Sequence, residues 1–580
     1  MRSKKNKIIS FILTMVMIIS LIPVITISVS AALPDDKLIL KYSMDEMVNG
    51  YFLDALGKGN NALGRNMEVK NDPTRGNVAS FNGVNGFIQL PEGFMENLNE
   101  ISISVWYYYA DPDLRVWSRI YDFGNTHQEY FMCSPNSGNS VVELGNNSTF
   151  GQWAGDPRAD GSNNLSTVVI GSDIYSDKWT HLVVTVNSTD TKIYINGKLD
   201  TSGETKTLPK DIGYTVQNYL GRSMYPDPYF MGMMDDLAIY SVALTDAQVT
   251  ELYNAPKFTT PDAAKTNVPA AVKTVATHDN TTDNIVAFYP LNSIENGLLI
   301  DDLNKNDGLV FGNNKGAEIV KDPTRGNVLK LDGRHGFAQL PNGMFNNLDE
   351  MTICAWYYFD TKDDTLFPDG RNWSRVFDMG TGNTTFVYIS PQCGDTICAG
   401  GEVKLNDDSH RTAAGDVYAD KWVFAALTLG KGESKLYIDG KLQDTMEAPF
   451  NPKDLGDTFQ NNIGKSMYPD PLFRGMISNL VIYNKVLSDA EVAAAMTKDY
   501  TYLAANVTPA ADTAAPAVAD TTAAPAADTT AAAVDTTVAV VPVTATTTAP
   551  TTGDNTLAIM AVMVLAAAGV VIFRRKISVK

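Results

Sequence analysis

Cysteine is scarce. Four cysteines in 580 residues are too few to staple an extracellular chain of this length, so folding must rest on buried apolar surface and not on a disulfide framework. Cys133 and Cys354 stand alone, while Cys393 and Cys398 are near enough in sequence to close a small loop or to remain thiols. Histidine is equally thin. His127, His181, His278, His335 and His410 never fall at metal-ligand spacing, which argues against a zinc centre. There is no Gly-x-Ser-x-Gly nucleophile elbow. Positive charge is also short: 46 Lys and Arg face 66 Asp and Glu, a net charge of -20. That balance argues against nucleic acid and anionic lipid as partners.

The ends carry addresses. Met1 to Lys7 is basic, Ile8 to Ile27 is apolar, and Val29-Ser30-Ala31 offers small residues for cleavage, the pattern of a secretory signal peptide over 1–31. At the other end, Ala549-Pro550-Thr551-Thr552-Gly553-Asp554 precedes an apolar run from Leu557 to Phe573, followed by Arg574-Arg575-Lys576. The run reads as a transmembrane helix over 557–573, with the basic cluster held on the cytoplasmic side. This tripartite tail, 549–580, resembles the cell-wall sorting signals of Gram-positive bacteria. Pro550, Thr552 and Gly553 match the usual Leu-Pro-x-Thr-Gly, with Ala549 in place of Leu. The resemblance implies that a sortase cuts after Thr552 and joins it to peptidoglycan, leaving the protein extracellular and wall-anchored. Without cleavage it would be a single-pass membrane protein.

Between the ends, one sentence is written twice. Asp72 to Val78, Gly86 to Pro91, Val105 to Tyr108, Trp117-Ser118-Arg119, Lys178-Trp179, Tyr194 to Leu199 and Ser223 to Pro228 make the first copy. Asp322 to Val328, Gly336 to Pro341, Ala355 to Tyr358, Trp373-Ser374-Arg375, Lys421-Trp422, Tyr437 to Leu442 and Ser466 to Pro471 answer in the same order. A period of roughly 245 residues is too long for a solenoid repeat and right for a whole domain. The modules run over 37–254 and 284–497. The Pro/Ala/Thr-rich 255–283 reads as a linker, and 504–548 as a disordered Ala/Thr/Pro stalk.

Within each module the period is two. Ile101, Ile103, Val105, Tyr107 and Tyr109 share one face of a strand. Asn196-Gly197 and Asp439-Gly440 are hairpin turns. Thr245 to Gln248 and Ser488 to Glu491 are capping boxes that open one short closing helix per module. Many short strands with turn residues between them make an all-β sandwich.

Several strings taken together resemble the laminin-G-like, concanavalin A-like jelly rolls of bacterial surface proteins and glycoside hydrolases. They are the aromatic strand with Trp106, Arg119-Ile120-Tyr121-Asp122-Phe123-Gly124, Lys178 to Leu182, Tyr194 to Gly197 and Met234 to Tyr240 followed by Leu244-Thr245. The resemblance implies two such jelly-roll β-sandwiches in tandem. Glycosidases of related fold carry Glu-x-Asp-x-Glu or Glu-x-Asp-x-x-Glu on one strand, and no such string exists here, so the chain reads as a non-enzyme. The resemblance also implies a Ca²⁺ site built from oxygen ligands. The first module offers Asp45, Glu46, Asp54, Asn60, Asp235 and Asp236. The second has Asn292, Ser293, Asp301, Asn306, Ser478 and Asn479 at the matched positions, so calcium is expected in the first module.

Sugars are held by aromatic faces and planar hydrogen-bonding groups. Residues kept in both copies, with Arg222 becoming Lys465 and so keeping its charge, are therefore candidates for a glycan site: Trp117, Arg119, Arg222, Tyr225 and Asp227, with Trp373, Arg375, Lys465, Tyr468 and Asp470. For Trp117 and Arg119 a role in the core is the competing reading. The expected function is non-catalytic binding of a polysaccharide or glycoconjugate at the cell surface. A protein-binding adhesin or structural spacer is the alternative, and a cryptic glycosidase the third.

Overall fold

The computed structural model describes residues 32–126, 129–138, 143–148, 167–362, 364, 367, 370–394, 398–501 and 503. The signal segment, the Ala/Thr/Pro stretch and the tail with Pro550, Thr552 and Gly553 lie outside the described residues. Among the described residues no helix is long and apolar enough to cross a membrane.

Four antiparallel sheets form two sandwiches. One sheet of the first sandwich centres on Ile101–Tyr109, flanked by Trp179–Val186 and Met231–Tyr240. The other runs through Glu129–Ser134, Tyr121–Thr126, Gln217–Leu220 and Phe87–Gln89. In the second sandwich Met351–Phe359 lies between Arg474–Tyr483 and Trp422–Gly430. The facing sheet orders Phe337–Leu340, Gln460–Ile463, Phe377–Gly382, Thr385–Cys393, Cys398–Leu405 and Asp408–Ala413.

The period-two reading places the core. Ile101, Ile103, Val105, Tyr107 and Tyr109 are all 0% exposed and meet Ile88, Tyr121, Phe123, Phe131 and Leu220 from the opposite sheet. Each such side chain contributes about 1.5–3 kcal/mol by leaving water. The reverse face is covered too: Trp106 stacks on Tyr253 of the closing helix Asp246–Asn254 at 5.6 Å. That helix begins as the sequence predicts, with Thr245 and Gln248 capping each other, and Ser488 and Glu491 repeat the box before Asp489–Thr497. Both residues of the Asn196-Gly197 and Asp439-Gly440 turns have positive φ, which matches the right-handed twist of the strands they join.

The segment between the sandwiches is docked along them. Lys257 reaches Asp45 and Asp235, Phe258 N donates to Asp236, Thr260 bonds Ser43, and Lys265 pairs with Glu46. Farther on, Ala276 N donates to the Asn342 carbonyl and Thr277 N to Asn306. Its polar composition hides this, because these contacts are hydrogen bonds and ion pairs, and the apolar ones, through Phe258 and Ala276, are too far apart in sequence to make a period.

The sandwiches also pack directly on each other. Phe87, Val216, Tyr219, Met224 and Tyr229 from the first join Phe311, Phe337 and Leu472 from the second in one apolar cluster, with Phe459 against it. Arg334 pairs with Glu129 at 2.6 Å, Gly312 N donates to Glu92 at 2.9 Å, and Asn342 donates to Asn66 at 2.6 Å. Matched positions of the duplication come together here: Phe87 and Phe337 share this cluster, and Lys465 stands near enough to Arg222 to feel its charge.

Candidate functional site

On the second sandwich, strand register builds a two-row grid across three neighbouring strands. Tyr388, Glu402 and Arg411 are partners in one row; Phe386, Lys404 and Ser409 are partners in the other. Alternate residues of a strand point to the same side, so these six share a face. They line a cavity of about 300 Å³ together with Trp373, Arg375, Tyr468 and Asp470. The sequence-predicted residues of the second copy, Lys465 excepted, thus come together in one concave site.

The rings and charges are fixed in place. Trp373 holds φ at 66°, as Trp117 does in the first copy, a region that costs a bulky residue of order 1–3 kcal/mol. Its carbonyl accepts from Arg375 Nη1 and its N–H donates to the Gln392 carbonyl. The indole lies so close to Gly394 that a Cβ there would meet its edge at 2.3 Å, so only glycine fits. Arg411 lies over the Trp373 ring at 4.8 Å and Arg375 over Tyr388 at 3.7 Å. Tyr468 meets Phe386 edge-on at 6.1 Å and donates its hydroxyl to the Asn383 carbonyl.

Glu402 is the polar centre. It accepts from Tyr388 at 2.8 Å, Ser409 at 2.6 Å and Arg411 at 2.9 Å. Burial pushes its carboxyl up, but the donors of Ser409, Tyr388 and Arg411 outweigh that and hold it below the usual range. Asp470 behaves oppositely. Burial raises it, and Arg375 and Ser466 only partly offset the effect. The arrangement offers aromatic faces beside planar acceptors and donors that need no reorganisation to meet hydroxyl groups.

The first copy arranges the same motif differently. Arg119 is buried and pairs with Asp227 at 2.8 Å and Asp122 at 3.3 Å, with Nη1 donating to the Trp117 carbonyl. At the positions matching Tyr388 and Glu402 stand Met132 and Gly145, which are register partners, with Val168 opposite Gly145 where Arg411 would be. Arg222, Tyr225 and Asp227 instead line a second cavity, of about 450 Å³, that the loop Thr381 to Thr384, Phe459, Gln460 and Met467 of the second sandwich closes. Lys465, expected as a ligand donor, is buried where the sandwiches meet. The two copies therefore do not present equivalent sites.

The predicted calcium ligands have other partners. Asp235 and Asp236 each accept from Arg75 at 2.7 Å, and Lys257 Nζ stands 2.6 Å from Asp45 and 3.3 Å from Asp235. Asp54 turns to its own loop, accepting from the backbone N–H groups of Leu56, Lys58 and Asn60. Among the described residues no group of three or more His, Cys, Asp or Glu is placed to hold a metal ion. As arranged, the carboxylates do not fit Ca²⁺, because a guanidinium and an ammonium already supply the positive charge. Burial, with the charge of its neighbour, raises Asp235 to about 7, and burial raises Asp236 to about 6.

Sequence reading missed Tyr388, Glu402, Lys404, Ser409 and Arg411 because it looked for residues common to both copies. The signal was present as Phe-x-Tyr, Glu-x-Lys and Ser-x-Arg, alternate polar and aromatic residues on three successive strands of the second copy alone.

A curated protein, Usherin of Mus musculus, is 29% identical over 85 residues, covering 14% of this chain and only 2% of Usherin itself. Among solved structures, domain 4 of an extracellular arabinanase from Geobacillus stearothermophilus, in complex with arabinotriose, is similar. It is 24% identical with a TM-score of 0.30, over 37% of this chain and 98% of that one. The CBM40 module of the Ruminococcus gnavus IT-sialidase, bound to α2,6-sialyllactose, is 20% identical with a TM-score of 0.21, over 26% and 84%. A sequence profile matches residues 82–250 and again 332–493, more than half of the chain, and by that match the chain belongs to the concanavalin A-like lectin/glucanases superfamily.

Proposed function

We propose that this is a surface-displayed, non-catalytic saccharide-binding protein whose ligand site is the cavity on the second sandwich. One observation carries the reading: Trp373, Phe386, Tyr388 and Tyr468 surround a hydrogen-bonded Glu402 and Arg411 in one concave site of about 300 Å³, the size at which small-ligand pockets begin. Glu402 and Asp470 are acceptors for hydroxyl protons, Arg411 is a donor, and Tyr468 is the stacking platform. Display rests on the sorting pattern Pro550, Thr552 and Gly553, with peptidoglycan as the covalent partner.

A glycan array probed with the full-length protein tests this. Tyr468→Ala should weaken any hit about tenfold, the equivalent of about 1.4 kcal/mol, with Tyr225→Ala much less effective. No binding at millimolar glycan would instead favour a protein-binding adhesin or spacer. One observation favours a glycosidase as second reading: two carboxylates in one cavity, Glu402 held low and Asp470 raised, as an acid–base pair requires. Release of reducing ends from bound glycan, lost in both Glu402→Gln and Asp470→Asn, would establish it.

A further inference from the structure

Three cations gather where the sandwiches meet, and their hydrogen bonds are long. Arg222 Nη2 donates to Gln460 Oε1 at 3.4 Å, Arg65 Nη2 to the Leu340 carbonyl at 3.5 Å, and Lys465 Nζ to the Ser466 carbonyl at 3.4 Å. All three side chains are buried. Arg222 lies over Phe87 at 4.8 Å and Tyr219 at 4.7 Å, and Lys465 over Phe337 at 5.7 Å. Ring faces soften an isolated charge but do not neutralise it. The acids nearby face other groups first. Asp378 accepts from Met467 N, faces Arg375 and acts on Lys465 less than Arg222 does, while Asp227 is held by Arg119 and Ser223. Arg115, also in the cavity wall, is paired with Asp111.

Around this cavity two buried donors lack a hydrogen-bond partner, Arg222 Nη1 and the Tyr229 hydroxyl, on side chains 4% and 9% exposed. Both residues, with Gln460, belong to the wall of the 450 Å³ cavity between the sandwiches. Buried charge without a counter-charge is costly, and so is an unmade buried hydrogen bond. An oxyanion would answer both deficits at once, taking guanidinium and phenol donors while neutralising the cluster.

We propose that the cavity between the sandwiches is an oxyanion site, built by Arg222, Tyr229 and Gln460 with Lys465 and Arg65 behind them, for a carboxylate-bearing saccharide or a free inorganic oxyanion. It is distinct from the cavity on the second sandwich and does not rest on the saccharide reading of that site. Burial and the adjacent Arg222 lower Lys465 to about 7, so an arriving anion should draw a proton onto Lys465. Arg222, Asp378 and, through Arg222, Arg65, Tyr219 and Tyr229 are the groups that set this response.

Calorimetry on the full-length protein at pH 8 and low salt, in buffers of different ionisation enthalpy, tests the site with sodium glucuronate, glucose and inorganic phosphate. Glucuronate or phosphate should bind with proton uptake, and glucose should give no such signal. Lys465→Gln, which removes a repelling charge and should fold at least as well, should weaken anion binding at least fivefold and abolish the proton uptake. Arg222→Met should weaken it more than tenfold, and the exposed Lys198→Met not at all. Glucuronate binding without phosphate assigns the site to an acidic saccharide; equal binding assigns it to oxyanions generally. Absence of binding by both anions, equal heats with glucose, or unchanged affinity in Lys465→Gln overturns the proposal.

Discussion

Replacing Lys465 by methionine should stabilise the protein at neutral pH. The ammonium is 9% exposed and faces Arg222, and burial followed by that neighbour lowers it from 10.5 to about 7. In the unfolded chain it keeps its proton to about pH 10.4. Between about pH 7 and 10 the unfolded state therefore binds more protons than the folded one, and stability rises with pH at up to about 1.4 kcal/mol per unit. Below pH 7 both states are protonated, and the full cost, up to about 5 kcal/mol, is present. Methionine keeps the length and drops the charge. It forfeits the contact with the Phe337 ring, worth about 0.5–1 kcal/mol, so a net gain of about 2–4 kcal/mol is expected at pH 7. Urea unfolding at pH 7, 8, 9 and 10, followed by tryptophan fluorescence, measures it. The difference between wild type and Lys465→Met should shrink steadily toward pH 10. Parallel pH dependences with no gain at pH 7 would refute the reasoning.

Other outcomes follow from contacts already described. Phe337→Ala should loosen the packing between sandwiches, seen as two thermal transitions in place of one by calorimetry, because it removes a buried ring from the cluster that holds Phe87, Tyr219 and Phe311. Millimolar Ca²⁺ or a chelator should leave the melting temperature within about a degree, since Arg75 and Lys257 already neutralise Asp45, Asp235 and Asp236; a rise of several degrees would show that the ion displaces them. Asp235, raised to about 7, holds a proton more tightly folded than unfolded, so stability should fall as pH rises from about 4 to 7, and Asp235→Asn should flatten that fall. Thr552→Ala should move the protein out of the detergent-resistant wall fraction, and persistence there would overturn the sorting reading.

Much of the fold was legible because its determinants are local and periodic. Alternation in Ile101 to Tyr109 places the core, Asn196-Gly197 and Asp439-Gly440 place the hairpins, and the two capping boxes place the closing helices. The site was half legible. Duplicated residues pointed to Trp373, Arg375, Tyr468 and Asp470, which do converge. Tyr388, Glu402 and Arg411 did not register, because only strand register, set by long-range pairing, brings them side by side. Duplication did not reveal that Arg222 and Tyr225 line a different cavity, one closed by the second sandwich. Nothing in the spacing of Lys257 announces that it stands among Asp45 and Asp235; that contact depends on where the polar segment docks.

Phe87 and Phe337 share one cluster and Arg222 acts on Lys465, so matched positions of the copies meet as they would near the axis of a two-fold homodimer. In a true homodimer every substitution appears twice, on both sides of the axis, so a cation at this position would always meet its own copy. Joining the copies lifts that constraint. One side has become Tyr229 and the other Leu472, one Arg222 and the other Lys465. Tethering also makes the association independent of protein concentration. The pair then stays assembled while its two halves diverge, one keeping an aromatic cavity and the other giving Arg222 and Tyr229 to the seam between them.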